Sequence, residues 1–355
     1  MAYRNPQLHF SFADLAVEKF ADKNRSMALL EQLNLTIDWK PINQLLDSSY
    51  PTGKCAEGGK AYPPLLLFKC LLLQKWFQIP SDPELESQIN DRISFKSFLG
   101  LSLDQPAPDH STFSRFRSRL SKNAMVQLNS CLLVQFDQHG ISISEGIAID
   151  ARLIKSASKP LSNKKLEELK ENQNSAEGKL DKNGKPKKFS RDLESDWTVK
   201  NDEPHFGIKE HASVDVTNGL ILSTNITAAS HSDSTYLPYA TVYSMHTDQQ
   251  IEIVYADKGY AGAPNRNFLS LNEIADGIMR KNNINASLTE TEIARNKQIS
   301  KKRYIVEQYF GIATLFDDRS RARFTTIMKN SIDAMFRQFA FNLRKGANLL
   351  GRLPV

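Results

Sequence analysis

Between Gly146 and Gly262 the chain breaks into short β-branched runs bounded by turn residues, SEGIAIDARLI, HFGIKEHASVDV, LILSTNITA and IEIVYADKG, and this texture constrains the fold more than any other feature. Runs this short, with alternating apolar positions, read as strands. Asn218-Gly219 in DVTNGLIL sits between the second and third runs with the composition of a tight hairpin, so those two are expected to be antiparallel neighbours. Helical patterns follow at DSTYLPYATVYSM, started by Asp233 or Ser234, and at ISKKRYIVEQYFGIATLF. The order strand, strand, strand, helix, strand, helices predicts an α/β fold with a mixed sheet flanked by helices.

Upstream the periodicity is helical. Pro63 and Pro64 open a helix through LLLFKCLLLQKWF, Ser81 or Asp82 starts another in IPSDPELESQINDRISF, and Asp109 caps a third that sets Phe113, Phe116 and Leu120 on one face. Arg115 and Arg119 lie off that face; they are candidate DNA contacts of a helix-turn-helix-like module, or simply solvated arginines of a plain bundle, the commoner case. The expected division is an N-terminal extension over 1–59, an all-helical DNA-binding or dimerisation domain over 60–135, a catalytic domain over 141–346 and a tail over 347–355. Within the catalytic domain, 158–204 is a polar, lysine-rich insertion with little to bury, helical around NKKLEELKENQ and otherwise loop.

With 355 residues, 40% of them hydrophobic, the chain can bury a sizeable core without cross-links. Cys55, Cys70 and Cys131 fit no zinc-ligand spacing and suit a reducing compartment. PPLLLFKCLLLQKWF is interrupted by Lys69 and too short to span a bilayer, so a cytoplasmic protein with no membrane partner is expected. The net charge of +6 is uneven: residues 1–140 hold fifteen Lys/Arg against fourteen Asp/Glu, whereas 301–355 hold eleven against four. A basic C-terminal surface points to a polyanionic partner, nucleic acid first.

Two aspartates stand out. In GIAIDARLI the strand alternation sets Asp150 opposite Ile147, Ile149 and Ala151, and in EIVYADKGY Asp257 falls where the strand stops and Gly259 permits a turn; both read as exit positions. If these strands are parallel neighbours, both carboxylates reach one sheet edge, where α/β sheets bind ligands. Adjacent carboxylates repel unless a hard divalent cation intervenes, and two such ions about 3.5–4 Å apart hold the attacking and leaving oxygens of a phosphoryl displacement. In KKRYIVEQYFG, Glu307 lies off the apolar stripe of Ile305, Val306, Tyr309 and Phe310 and offers a third carboxylate, with Arg303 one turn earlier. Strand-end turn caps and a solvated i,i+4 pair explain the same residues, and spacing alone leaves the choice open.

Four blocks decide it. YPPLLLFKCLLLQKWFQIPSDPELESQINDRISFKSFLGL through PDHSTFSRFRSRL, then GIAIDARLIKS, then DWTVKNDEPHFGIKEHASVDVTNGLILSTNITAASHSDS, then ADKGYAG followed by KRYIVEQYFG, together resemble the DDE transposases of bacterial insertion sequences. The resemblance spans most of residues 60–346, lies in the superfamily joining the insertion-sequence-four and insertion-sequence-five groups, and is closest to the latter. It implies a ribonuclease H-like catalytic fold in which Asp150, Asp257 and Glu307 form the catalytic, metal-binding triad. It also implies Mg²⁺ as cofactor, two ions with Mn²⁺ able to substitute, and double-stranded DNA as partner, both terminal inverted repeats and target. A homodimer or larger synaptic complex, nucleoid-associated when on DNA, follows from cutting two ends together. Arg303 matches the arginine of a tyrosine-arginine-glutamate-lysine signature, while Ser300 stands where that signature has tyrosine and Thr314 where it has lysine. Those departures motivate one alternative, a catalytically impaired relative that binds element ends as a repressor; a metal-dependent nuclease outside transposition is the other.

Further candidate DNA contacts are Lys258 and Tyr260 beside Gly259, Lys209 alternating with His211, Trp197 as a stacking ring, Lys301, Lys302, and the RSRAR run of Arg319, Arg321 and Arg323. For Tyr260, Trp197 and His211, packing is the plainer role.

Overall fold

Ser81, Asp109 and Ser121 each accept the backbone N–H of the residue three positions on, and each opens a helix. A computed structural model describes residues 24–50, 52, 61–142, 145–174, 192–246, 251–282, 287–316 and 321–351. Cys55, Arg319 and residues 175–191 of the insertion lie outside the described residues. Two compact units result, one of residues 1–143, 246–248 and 335–355, the other of 144–245 and 249–334.

The first unit contains α1 (Arg25–Leu35), α2 (Trp39–Ser49), α3 (Pro64–Trp76), α4 (Asp82–Asp91), α5 (Ile93–Leu99), α6 (His110–Arg119) and α7 (Lys122–Gln138). α3 is apolar on nearly every side and therefore becomes a core helix. Its Phe68 ring meets Phe336 at 5.1 Å and Phe339 at 5.0 Å, and the Trp76 indole N–H donates to the Ala340 carbonyl at 2.9 Å. Those partners belong to the last helix, α12 (Ile327–Leu349), whose residues from Met335 onward fall in this unit. Phe113, Phe116 and Leu120 are all buried, as the α6 pattern predicts.

The second unit is α/β: β1 (Ile147–Lys155), α8 (Asn163–Asn174), β2 (Asp196–Lys200), β3 (Glu203–Asp215), β4 (Ile221–Ala228), α9 (Leu237–Val242), β5 (Ile253–Ala256), α10 (Ala263–Leu271), β6 (Ala275–Ile278) and α11 (Glu290–Phe316). The sheet runs β2-β3-β1-β5-β6, with β4 also on β3; β1 is antiparallel to β3 and parallel to β5. The sheet is thus mixed, and Gly219 at φ 72° makes the β3–β4 turn that Asn218-Gly219 foretells. Two strands were not legible. β2 lies in the insertion expected to be loop and helix, and β6, ADGI, is short and contains two poor strand formers, so neighbouring strands rather than propensity fix both. Neither Asp233 nor Ser234 caps through its side chain; Ser232 precedes the 3₁₀ turn Asp233–Tyr236 that leads into α9. Among the described residues no helix is long and apolar enough to cross a membrane.

Candidate functional site

β1 and β5 pair Ile147 with Val254 and Ala148 with Tyr255. Carried on by two residues, that register sets Asp150 level with Asp257. β1 itself continues to Lys155 against β3, so Asp150 is not at the exit of its strand as its sequence suggests. It stands where β5 has ended and β1 has lost one neighbour.

The two carboxylates are held differently. Asp150 accepts the Ala151 N–H on Oδ1 at 2.8 Å and the buried Arg303 guanidinium on Oδ2 at 2.7 Å. Burial pushes the Asp150 carboxyl above the usual range, Arg303 and the Ala151 N–H pull it back, and the Asp257 charge raises it again. Asp257 follows β5 directly and accepts the Gly259 N–H on Oδ1 at 2.6 Å. A Cβ at position 259 would lie 2.9 Å from that same oxygen, so a larger residue there would require the Asp257 carboxylate to shift. The Tyr260 side chain is fully buried and among the described residues its hydroxyl has no hydrogen-bond partner. Burial, then the charges of Asp150, Asp233 and Asp257, keep that phenol protonated.

α11 packs across β1, β5 and β3 and carries Glu307 on its exposed side. Glu307 and Asp150 line one cavity of about 670 Å³, together with Arg152, Lys200, His205 and Phe310. Arg152, two residues past Asp150 on the same strand face, donates to Glu210 Oε2 at 2.7 Å and to Thr314 Oγ1 at 3.3 Å. Glu210 also accepts the Tyr309 hydroxyl at 2.7 Å and the Thr224 hydroxyl at 3.3 Å, which satisfies a fully buried carboxylate. Sequence reasoning missed Arg152, although its i+2 spacing from Asp150 was a usable signal. Lys200 and His205 were invisible because they flank the β2–β3 turn. Among the described residues no three His, Cys, Asp or Glu side chains are drawn tightly enough together to form a preformed metal cage.

Several expected contacts lie elsewhere. Ala151 pairs with His211 and Leu153 with Lys209, so the strand alternation turns Lys209 and His211 to the sheet face opposite Asp150, not towards it. Lys209 is spoken for by Asp233 at 2.9 Å and the His231 carbonyl at 2.7 Å. Tyr260 points inward rather than to a DNA backbone, and Trp197 packs on Phe206 with its N–H on the Leu161 carbonyl at 2.8 Å. Arg303 binds Asp150, not a free phosphate. Lys258 and Lys301 are exposed, while Lys302 pairs with Glu145 at 2.5 Å. In the other unit Arg115 is exposed beside Asp109, and Arg119 donates to Thr52 Oγ1. Arg321 donates to the Ala157 carbonyl at 3.0 Å and Arg323 lies over Phe324.

A family model described as a transposase DDE domain matches residues 142–343, and a second, described as a transposase domain (DUF772), matches residues 16–119. No solved structure matches the chain.

Proposed function

Because the chain belongs to the transposase DDE domain family, and so is a transposase acting on DNA, we propose that Asp150, Asp257 and Glu307 are the carboxylates with which it cuts and joins DNA at the ends of an insertion sequence. The observation that carries this reading is the level placement of Asp150 and Asp257 on parallel neighbouring strands, with Glu307 lining the cavity that Asp150 opens into. A central β1 antiparallel to β3 and parallel to β5, covered by α11, supports a ribonuclease H-like catalytic domain. The order of the four sequence blocks supports placing it near the insertion-sequence-five group.

The family implies a divalent metal, and the residues suit one. Carboxylate oxygens are hard donors, the Asp257 charge raises the proton affinity of Asp150, and among the described residues the buried Tyr260 hydroxyl beside them has no protein partner. Two Mg²⁺ ions, or Mn²⁺ in their place, held by the three carboxylates would supply charge neutralisation at the scissile phosphate and an activated oxygen nucleophile. Arg303 fixes the Asp150 carboxylate and offsets its charge. Arg152 keeps a cation in the cavity beside Thr314, the position where the family signature has lysine. Lys258, exposed next to Asp257, meets the DNA backbone.

In the first reaction a water oxygen attacks phosphorus at the element's end and the 3′ oxygen departs, taking up a proton as a free hydroxyl. In the second that hydroxyl attacks a target phosphodiester and displaces the target's own 3′ oxygen. Both are in-line displacements in which the protein chiefly positions DNA and stabilises charge. Cutting two ends together calls for a dimer or larger synaptic complex. The test is Mg²⁺-dependent cleavage or strand transfer on DNA carrying the repeats that flank the coding region; wild-type activity in Asp257→Ala would sink the assignment.

One observation favours a second reading. Ser300 is exposed and carries no ring, and the Thr314 hydroxyl is engaged by Arg152, so two signature groups are missing from the surface that faces DNA. A repressor that binds element ends without cutting them would show salt-dependent binding and no cleavage in either metal.

A further inference from the structure

Asp276 on the edge strand β6 is surrounded by three arginines from three directions: Arg266 Nε on α10 at 3.2 Å, Arg280 Nη2 just past β6 at 3.5 Å, and Arg295 Nη2 on α11 at 3.8 Å. One carboxylate has two oxygens, and Oδ1 already accepts the Ile278 N–H at 2.8 Å, whereas each guanidinium brings five donors. Arg295 spends donors on the Ile278 and Asp276 carbonyls and is anchored. Arg266 and Arg280 remain 33% and 37% exposed.

The cluster adjoins a groove of about 450 Å³ between β5, β6 and α11, whose lining includes Arg295, Lys301 and Lys302. The carboxylates that face these cations are Asp276, Glu145, which pairs with Lys302, and Glu292, which is bound to Thr289. Among the described residues five cations therefore meet three carboxylates on one surface. Such a surplus is costly to the isolated fold and is relieved by a polyanion.

We infer that the arginine cluster around Asp276, with the groove beside it, is a second site for the DNA phosphate backbone, separate from the cavity of Asp150 and Glu307. The inference rests on the reading of that cavity as a DNA-cutting site. Arg295 and Glu307 lie twelve residues apart on α11, roughly 18 Å at about 1.5 Å per residue. That axial rise corresponds to about five base-pair steps of duplex.

The test measures binding of a mixed-sequence DNA duplex as a function of salt for wild type, Arg266→Gln, Arg280→Gln and the double variant. Neither residue lines the catalytic cavity, and thermal unfolding checks that the fold is kept. Each lost phosphate contact should reduce the slope of log affinity against log salt by about 0.9, so the double variant should lose nearly two units of slope and bind more weakly. Arg280→Lys should restore the slope, because charge rather than the shape of the guanidinium is what the backbone reads. Unchanged slope and affinity in the double variant, or no recovery with lysine, overturns the second site while leaving the catalytic reading standing. A wild-type protein with no salt-dependent affinity for DNA removes both.

Discussion

The Arg303 guanidinium donates to Oδ2 of Asp150 at 2.7 Å, tying α11 to the strand β1 at the level where Asp257 lies alongside. Removing the arginine leaves a largely buried carboxylate facing another. Arg303→Ala should cost about 1–3 kcal/mol by urea denaturation, less than a fully enclosed pair because the Asp150 side chain keeps 22% exposure. Arg303→Lys should recover part of that loss. A variant as stable as wild type would mean the pair fixes geometry without contributing stability.

Glu307 is exposed on α11, so its role separates cleanly from folding. Glu307→Gln should hold stability within about 0.5 kcal/mol of wild type. Cleavage of element-end DNA should fall by about 100-fold or more, since even residues that only support metal ligands cost up to that much. Equal loss of stability and activity would place Glu307 in the fold instead of the chemistry.

Arg152 and Glu210 form a pair in which Glu210 is completely buried. Glu210→Gln alone should cost about 3–5 kcal/mol, because it strands the arginine. Replacing both partners, as in Arg152→Met with Glu210→Leu, should cost less than the sum of the single changes. A double-mutant cycle by chemical denaturation reads the difference, and strictly additive values would contradict the pairing.

Burial holds the His211 imidazole neutral, its pKa pushed down to about 3, with Lys209 adding to the effect. Folded His211 thus binds a proton far less readily than its unfolded counterpart at about 6.5. The stability it leaves intact above that value is lost as pH falls towards 3, by up to about 1.4 kcal/mol per pH unit. His211→Gln should flatten this acid limb, measured as urea midpoints between neutral and mildly acidic pH. An unchanged pH profile would show that another group carries it.

Much was legible from local chemistry. Asp109 as a cap, the Asn218-Gly219 hairpin, the strands around Asp150 and Asp257, and the helix bearing Arg303 and Glu307 all show in residue types and periodicity within a few residues. β2 and β6 were not legible, because Asp196–Lys200 and ADGI are held by a neighbouring strand's hydrogen bonds and not by their own composition.

The sequence by itself determined which side chains could carry the chemistry, since residue type and strand or helix period are local properties. The tertiary structure alone decided which of them meet. Pairing of Ile147 with Val254 brings Asp150 beside Asp257 across about a hundred residues of chain. Pairing of Leu153 with Lys209 turns that lysine away from them. Arg303 was placed one turn from Glu307 by its own helix, yet it satisfies Asp150, because a buried guanidinium takes the carboxylate that packing presents to it. Register between strands is set by hydrogen bonds between distant segments, and a shift of one residue reverses every face.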